Sequence, residues 1–590
     1  MKPLPAPVGL PNRTPQMSWT VRLSAITVAG LLAACSSTPL PPWPGTSAGP
    51  VAATPSKARP AAQPVETAQS QPIAPPRSMA PLPYSAAVAA RFPDPAVHYA
   101  TPGLEDGRSN FTTQAEMAQW LRQLANRSLG SGTLLGLVTA GTSQRGEPIQ
   151  ALVATRAKNI TPQGLDAVNR PTVLLVGQQH GDEPAGSEAL LIIARELAPG
   201  GLLEPLLARI NVLIVPRANP DGALTGLHAT ANGVDMEHDH LLLRTPEAQA
   251  LAMLTRDYRT TVVLDAHEFV VAGPYLQKYQ ALRGQDVLLQ YAGTPNAHEF
   301  ITKAAREWLQ EPMTAALQGA KLSSDWYATT SADPKDLALS MASIAPDSLS
   351  NTNALRNALG MMVQTRGIGI GRTHIQRRVH SQVVAISSAL RSTAERAPDL
   401  TKVQAYVGRD TAAQSCRQQL VVQAAQTPGQ REVTFLHPQT GADYTIKVDW
   451  NSSLALRSLK SRPRPCGYWL SAEAGAAVER LEQLGLQVLR VAESAPLIAD
   501  TYTPTPQAQM PLATAGNARL VQVTPTRGAV DAAPGSFYVP MNQSGAHLVA
   551  AALEPDTEYS FFAQHLIGNL GDVARVMARP ALVFEEDVGD

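Results

Sequence analysis

The apolar positions between residues 113 and 124 recur with the period of an α-helix. Thr113 and Glu116 have the spacing of a capping box, in which each side chain accepts from the other residue's free backbone N–H. Apolar side chains then recur at i, i+3, i+4 and i+7, and they are Met117, Trp120, Leu121 and Leu124. The pattern predicts an amphipathic helix that begins after Thr113.

Four later apolar runs are too short for helices and are largely unbroken, as is typical of strands covered on both faces. They are Thr172–Val176, Val212–Val215, Thr261–Leu264 and Leu359–Val363. Helical patterns occupy Pro184–Leu197, Pro246–Tyr258 and Arg372–Ala394. Strands that alternate with helices predict an α/β fold with a parallel sheet covered by helices.

Polar side chains follow three of these predicted strands. His180 and Glu183 come after the first, residues 219–222 after the second, and Asp265 and His267 after the third. Because ligands of parallel sheets bind beyond the carboxyl ends of the strands, we expect these side chains to converge. Two histidines and one carboxylate are a ligand set of catalytic zinc, which keeps a fourth position for water. For the H-x-x-E motif alone, surface loop residues without a ligand are the alternative.

Four motifs in order resemble the zinc carboxypeptidase family, the carboxypeptidase A-like metallopeptidases, over roughly residues 110–395. They are His180-x-x-Glu183, Asn219-Pro220-Asp221-Gly222, Asn232-Gly233-Val234-Asp235 and Asp265-x-His267. The resemblance implies a mixed, largely parallel sheet sandwiched by helices. It also implies one Zn²⁺ held by His180, Glu183 and His267, with Asp265 as a partner that orients His267.

The family's catalytic glutamate, which accepts a proton from the zinc-bound water, corresponds here to Gln364. An amide cannot take up a proton near neutral pH, so Gln364 could orient the water but not act as its base. Three explanations stay open: lost peptidase chemistry, a substitute base at Glu268 or Glu237, or a misplaced alignment. No acidic residue occurs from 352 through 394, so a small shift of the alignment finds no replacement.

Residues that bind substrate in the family are also changed. Glu237 and His238 replace the Asn-Arg pair that holds a peptide's terminal carboxylate, and His228 stands where an arginine is expected. Glu237 would repel a carboxylate, and His238 lacks the permanent charge and the two-pronged hydrogen bonding of arginine. Tyr327 is a candidate substrate-facing side chain, with simple packing as its alternative. The Gly-Asp-Glu sequence after His180 resembles bacterial branches that act on murein peptides or small amidated acids.

The first residues predict export. A basic flank and a short apolar run end in Leu32-Ala33-Ala34-Cys35, which resembles a bacterial lipobox with Cys35 as the lipidated residue. A dozen apolar residues are too few to span a bilayer. Residues 1–34 are therefore predicted to be a lipoprotein signal peptide starting at Met1 or Met17, with an ordinary signal peptide as the alternative. The protein would then be anchored by lipid in the bacterial cell envelope, at the outer membrane and facing the periplasm.

Thirteen prolines between residues 39 and 83 indicate a second segment, an extended tether over residues 35–90. The zinc carboxypeptidase-like domain is predicted at residues 91–395. Lys plus Arg and Asp plus Glu number 48 each, so no basic field exists that would attract nucleic acid. Peptides or peptidoglycan-derived substrates, together with the membrane, are the expected partners.

Residues 396–590 are predicted to form a strand-rich α+β module. Tyr444–Trp450 alternates apolar and polar positions, and with Arg431–Phe435 it predicts a β-hairpin. Ser471 and Gly485 bracket a predicted helix. Cys416 and Cys466 could form a disulfide in an oxidising compartment, or remain two buried thiols.

The sequence therefore predicts a zinc-dependent metallocarboxypeptidase-like hydrolase of the cell envelope that acts on peptides. A zinc-binding lipoprotein without catalysis, which binds peptide or peptidoglycan in the same cleft, is the alternative. A structural envelope protein in which zinc stabilises the fold is a third reading.

Overall fold

The computed structural model describes residues 82–130, 132–331, 333–511 and 519–586. The predictions for the signal peptide, for Cys35 and for most of the tether lie outside these residues. The helices are α1 Ala86–Ala89, α2 Gln114–Arg127, α3 Pro162–Asp166, α4 Pro184–Leu197, α5 Pro220–Thr225, α6 Pro246–Asp257, α7 Gly273–Tyr279, α8 Glu299–Ala305, α9 Glu311–Gly319, α10 Leu349–Leu355, α11 Ile375–Glu395, α12 Ala397–Ala413, α13 Gly475–Gln483 and α14 Ala546–Leu553. The strands are β1 Leu134–Thr142, β2 Pro148–Thr155, β3 Thr172–Gly177, β4 Asn211–Val215, β5 Val262–Val270, β6 Leu282–Arg283, β7 Val287–Tyr291, β8 Ser324–Trp326, β9 Leu339–Ser340, β10 Leu359–Ile368, β11 Gln419–Leu436, β12 Asp443–Pro463, β13 Gly467–Leu470, β14 Leu489–Arg490, β15 Ala495–Pro511, β16 Arg519–Ala532, β17 Phe537–Pro540 and β18 Val573–Val576.

A mixed sheet of eight strands carries the first half of the structure, in the order β1-β2-β4-β3-β5-β10-β7-β8. The four strands β4, β3, β5 and β10 run parallel to one another. Antiparallel pairs flank them, β1 and β2 at one edge and β7 beside β10 at the other. The predicted fold class, a mixed and largely parallel sheet covered by helices, is confirmed.

Consecutive side chains of the central strands point into two different apolar layers, because side chains alternate along a strand. Leu175 of β3 packs on one face with residues of α4 and α11. Leu174, the preceding residue, packs on the other face with residues of α6. Burial on both faces explains why these strands read as unbroken apolar runs.

Local signals placed several element boundaries. The capping box of Thr113 and Glu116 forms with both of its hydrogen bonds at the start of α2. Helix α4 spans the predicted residues, and α6 ends one residue earlier than predicted. Strands β5 and β10 extend well beyond the apolar runs that predicted them, so His267 and Gln364 lie inside strands rather than after them.

Two sheets form after residue 395. The predicted hairpin is confirmed but is much longer, since β11 and β12 pair along nearly their whole length. They form a four-stranded sheet with β6 and β9, two short strands from the preceding domain. The other sheet has the order β14-β17-β13-β18-β15-β16. A disulfide joins Cys416, three residues after the end of α12, to Cys466, which directly precedes β13.

The residues after 395 are integrated with the domain before them. Leu241 and Leu355 share one apolar cluster with Leu470 and Leu553. The described residues from 82 to 585 accordingly belong to one compact unit, and the limit predicted between residues 395 and 396 stays a prediction. None of the helices in the described residues combines the length and apolar character needed to cross a membrane.

The end of the predicted tether is ordered, which corrects its limit at residue 90. Tyr84 and Val88 are buried in a cluster with Phe92 and Leu282. Ser85 caps the short helix α1 by accepting from the backbone N–H of Val88. Composition missed this anchor because a few apolar residues among many prolines carry no periodic signal.

Candidate metal centre

Three segments at one edge of the central sheet carry the predicted metal ligands. Strand β3 ends at Gly177, and the loop that follows carries His180. Glu183 is the last residue before α4, whose first helical residue is Pro184. His267 lies within β5, the neighbour of β3 in the sheet.

The structure brings the side chains of His180, Glu183 and His267 together. Nδ1 of His180 lies 2.9 Å from one carboxylate oxygen of Glu183, and Nδ1 of His267 lies 3.0 Å from the other. All three residues are buried. Two imidazole nitrogens that face one carboxylate are a donor set that suits a catalytic zinc ion.

Each imidazole also faces a carboxylate with its other ring nitrogen. Nε2 of His180 lies 3.1 Å from Oδ1 of Asp235, and Nε2 of His267 lies 2.9 Å from Oδ2 of Asp265. Such partners fix the orientation of a ligating histidine and raise its basicity. Asp265 thus lies where the resemblance placed it. The sequence placed Asp235 in a family motif but did not predict its role beside His180. Its position in that motif could have indicated the role.

A buried hydrogen-bond chain continues behind Asp265. The side-chain amide of Gln179 donates to Oδ2 of Asp265 at 2.7 Å. The amide oxygen of Gln179 lies 2.7 Å from Nε2 of His240, so this nitrogen carries the donated proton. Burial lowers the pKa of His240 to about 4, which keeps its imidazole neutral. No sequence signal pointed to this chain, because its members are far apart along the sequence.

The electrostatics of the ligand set favour a bound cation. Burial disfavours charge on His180, but the carboxylates of Glu183 and Asp235 together outweigh burial and raise the pKa of His180 to about 10. Burial likewise disfavours charge on Glu183, and the two imidazoles outweigh it and lower the pKa of that carboxyl. Because zinc binds neutral imidazoles, a zinc ion would take the place of these protons.

The Asn219–Gly222 motif shapes the loop that carries His180. The side-chain amide of Asn219 donates to the carbonyl oxygen of Gln179 at 3.0 Å, and its oxygen accepts from the N–H of Gly222 at 2.8 Å. Gly181 lies so close that an added Cβ would be 1.9 Å from the carbonyl carbon of Gly222. The motif therefore positions the ligand loop and does not itself contact the metal ligands.

The structure does not bring Glu268 to the ligand set, which corrects its candidacy as a substitute base. Its side chain forms a buried ion pair with Arg378 of α11, and it also accepts from the N–H of Ala185 at 3.1 Å. Side chains alternate along β5, so Glu268 points away from His267. Only its backbone serves the site, because its N–H donates to Glu183 at 2.9 Å.

Gln364 lies next to the ligand set on the neighbouring strand. The register of β10 on β5 pairs Gln364 with His267, so the two side chains share one face of the sheet. Tyr327 follows β8, and the side-chain amide of Gln364 donates to Sδ of Met362 at 3.1 Å. Burial and the nearby charge of Glu237 raise the pKa of the Tyr327 hydroxyl, so it stays neutral. The structure thus places Tyr327 at the cleft.

Two of the three altered recognition residues, His228 and Glu237, lie beside His180. The ring of His228 stacks on the ring of His180, with centroids 3.6 Å apart. Oε2 of Glu237 lies 3.8 Å from Nε2 of His180. A carboxylate oxygen of Glu237 also lies within 4.8 Å of ring nitrogens of both His180 and His267.

His238 turns away from the ligands and pairs with a buried carboxylate. Its Nδ1 lies 2.9 Å from Oδ2 of Asp347. Burial disfavours charge on His238, but Asp347 outweighs burial and raises the pKa of His238 to about 10. The positive charge of His238 is therefore already neutralised within the protein. The described cleft presents the carboxylates of Glu237 and Asp235 without an arginine partner in place of the expected Asn-Arg pair.

Comparisons with known proteins find similarity to carboxypeptidases. Residues 117–329 match the family model described as zinc carboxypeptidase, a span that includes His180, Glu183 and His267 and ends before Gln364. Carboxypeptidase 2 of Trichophyton rubrum is 25% identical over 484 residues, which cover 80% of this chain and 87% of that protein. Carboxypeptidase D of Mus musculus is 37% identical over 111 residues, 17% of this chain and 8% of that protein.

Solved structures include a metallo-carboxypeptidase from Burkholderia cenocepacia with 16% identity. It covers 48% of this chain and 69% of its own, with a TM-score of 0.36. That score is too low to support a conclusion. The similarity to the Trichophyton protein, by contrast, covers more of this chain than the family model does.

Proposed function

We propose that the protein is a zinc-dependent hydrolase that cleaves a peptide or amide bond, since residues 117–329 match the zinc carboxypeptidase family model. One observation carries the proposal. His180 and His267 turn their Nδ1 atoms to the Glu183 carboxylate, while each Nε2 faces an aspartate. Histidines that only stabilise the fold would not need both ring nitrogens to face carboxylates, with the two Nδ1 atoms directed at the same one.

His180, Glu183 and His267 would hold the zinc ion, which supplies a polarised substrate carbonyl and a more acidic bound water. Glu237 is the carboxylate placed to accept the proton of that water, because it lies near both ligating histidines without being held by an arginine. Gln364, beside His267, orients the water through its amide. Sδ of Met362 accepts from the amide nitrogen of Gln364 and fixes the orientation of that amide.

The substrate lacks a free terminal carboxylate next to the scissile bond. Glu237 occupies the region where such a group would bind and repels it, and Asp347 neutralises His238. An internal or amidated peptide bond, including that of a peptidoglycan-derived peptide, meets no such repulsion. The lipobox at Cys35 and the proline-rich segment after it support action in the bacterial cell envelope, on a lipid anchor.

A second candidate function is binding of the same ligands without hydrolysis. Gln364 supports it, because an amide at the position of the family's base cannot accept a proton. In that case the zinc site would hold a peptide by its carbonyl oxygen and would not cleave it.

Zinc content and peptide hydrolysis of three proteins decide between these functions: the wild type, Glu237→Gln and Gln364→Glu. We expect about one zinc per chain in all three. We expect hydrolysis of end-blocked peptides by the wild type and a loss of about 100-fold or more in Glu237→Gln, which is the usual contribution of a general base. The exposed Glu473→Gln is the matched control and should match the wild type.

An inert wild type with zinc-dependent activity gained in Gln364→Glu would overturn the hydrolase proposal and favour the binding protein. Wild-type activity that persists in Glu237→Gln would reject Glu237 as the proton acceptor. Protein that binds no zinc would reject the ligand set itself.

A further inference from the structure

A cavity of about 340 Å³ lies between the zinc carboxypeptidase domain and the residues after 395. Its walls come from the loop of residues 344–346, from Leu420 and Val422 of β11, and from Glu558 after α14. This volume falls in the range of about 300–1,000 Å³ that small-molecule sites occupy. None of the metal ligands lines it, so it is distinct from the metal centre.

The cavity adjoins the metal cleft through His238. Asp347, which follows the lining residue Pro346, holds the His238 side chain at 2.9 Å. Tyr559, which follows the lining residue Glu558, stacks on the His238 ring with centroids 6.2 Å apart. His238 is the neighbour of Glu237 in the chain. Two residues that contact His238 are thus the direct chain neighbours of residues that line the cavity.

The lining is mostly apolar but contains two acidic side chains, of which one has ion-pair partners among the described residues and the other has none. Asp556 forms ion pairs with Arg462 and with Lys460, so its charge is balanced. Glu558 has no described hydrogen bond or ion pair within the part of the chain that the structure covers. Burial, with a contribution from Asp347, raises the pKa of Glu558. A half-buried carboxylate without an ion-pair partner among the described residues is stabilised by a cation that reaches it.

We propose that this cavity is a substrate subsite for a long side chain with an apolar stem and a terminal amine or guanidinium. The stem would lie along Ile344 and Leu420, and the cation would pair with the carboxylate of Glu558. Lysine, arginine and related diamino acids have this chemistry. The subsite rests on the proposed function, because it places that residue of a substrate peptide near the bond at the metal.

Binding of peptides to the zinc-loaded full chain tests the subsite without requiring hydrolysis. End-blocked, fluorescently labelled pentapeptides would carry a single lysine at each position in turn, paired with the isosteric norleucine peptide. At one position, we expect lysine to bind about 10-fold to 100-fold more tightly than norleucine, as for a hydrogen bond between charged groups. Glu558→Gln should abolish that preference, and the exposed Glu473→Gln should keep it.

A second variant tests the cavity rather than the charge. Ala551 lines the cavity, and Ala551→Phe should fill it and weaken the lysine and norleucine peptides alike at that position. Equal binding of both peptides to the wild type at every position, or no binding of any peptide, would overturn the subsite. So would a lysine preference that survives in Glu558→Gln. Zinc content and hydrolysis are measured separately from this binding. The proposed function can therefore be upheld when the subsite is rejected.

Discussion

At the scale of single residues, the candidate metal centre depends on two carboxylates that face the second ring nitrogen of each histidine. Asp265 is buried, and one of its oxygens faces both Nε2 of His267 and the amide of Gln179. Asp235 serves His180 in the same way but is partly exposed. Each aspartate thus fixes the ring orientation of its histidine through Nε2. Both Nδ1 atoms therefore already face the same point.

Asp265→Asn should lower the affinity for zinc by about 10-fold to 100-fold, because the neutral amide no longer fixes and polarises His267. Competition with a fluorescent chelator measures this affinity. Asp94→Asn, at an exposed position, is the control and should bind zinc like the wild type. Unchanged affinity in Asp265→Asn would contradict a ligand role for His267 as the structure orients it.

At the scale of elements, strand β5 and helices α4 and α11 are fastened together directly behind the ligands. The carboxylate of Glu268 accepts two hydrogen bonds of 2.8 Å from the guanidinium of Arg378 and one from the first turn of α4. Both side chains of the pair are almost completely buried. Arg378 of α11 therefore holds the helix against the strand that carries His267.

Arg378→Met should lower the free energy of unfolding by about 3–5 kcal/mol, because it leaves the carboxylate of Glu268 buried without its partner. The double variant Arg378→Met, Glu268→Gln removes both charges and should lose clearly less than the single variant. Urea denaturation of the wild type, both single variants and the double variant gives the coupling. Strictly additive losses would show that the pair does not act as a unit.

At the scale of the whole molecule, the residues after 395 share a sheet and an apolar cluster with the residues before them. Strands β11 and β12 continue a sheet begun by β6 and β9, and Arg480 donates to the carbonyl oxygen of Leu242 across the contact. Glu554, the residue after α14, forms buried ion pairs with Arg462 of β12 and Arg575 of β18. These pairs connect the end of α14 to both sheets. The cavity beside His238 exists only because both parts are present.

The buried position of His547 in α14 should make the stability of the protein sensitive to acid. Burial and the charge of Arg464 lower the pKa of His547 to about 3, against about 6.5 in an unfolded chain. The unfolded state therefore binds the proton first, and stability present above pH 6.5 is lost as the pH falls. From pH 7 to pH 5 the loss should be about 2 kcal/mol.

His547→Gln should remove that part of the pH dependence, while the exposed His98→Gln should retain it. Denaturation midpoints at pH 5, 6 and 7 give the comparison. A wild type and a His547→Gln variant with parallel pH profiles would contradict the assignment of the acid sensitivity to this histidine.

The sequence by itself determined what depends on neighbours along the chain. A proline at the first turn and an apolar stripe fix α4, and a capping box fixes the start of α2. Unbroken apolar runs located β3 and β4, because burial on both faces leaves no polar position. The ordered motifs also identified the residues that meet at the metal centre, since their spacing is set by the strands that carry them.

Tertiary structure alone decided what depends on residues far apart in the chain. Pairing with β10 carries β5 past its apolar run, so His267 and Gln364 become neighbours inside a sheet. The partner Arg378, more than a hundred residues away, removes Glu268 from the candidates for the base. The unpaired Glu558 gains its meaning from a cavity whose walls come from both parts of the chain. A sequence records side chains and their local order, but the direction in which each side chain points follows from contacts made only after folding.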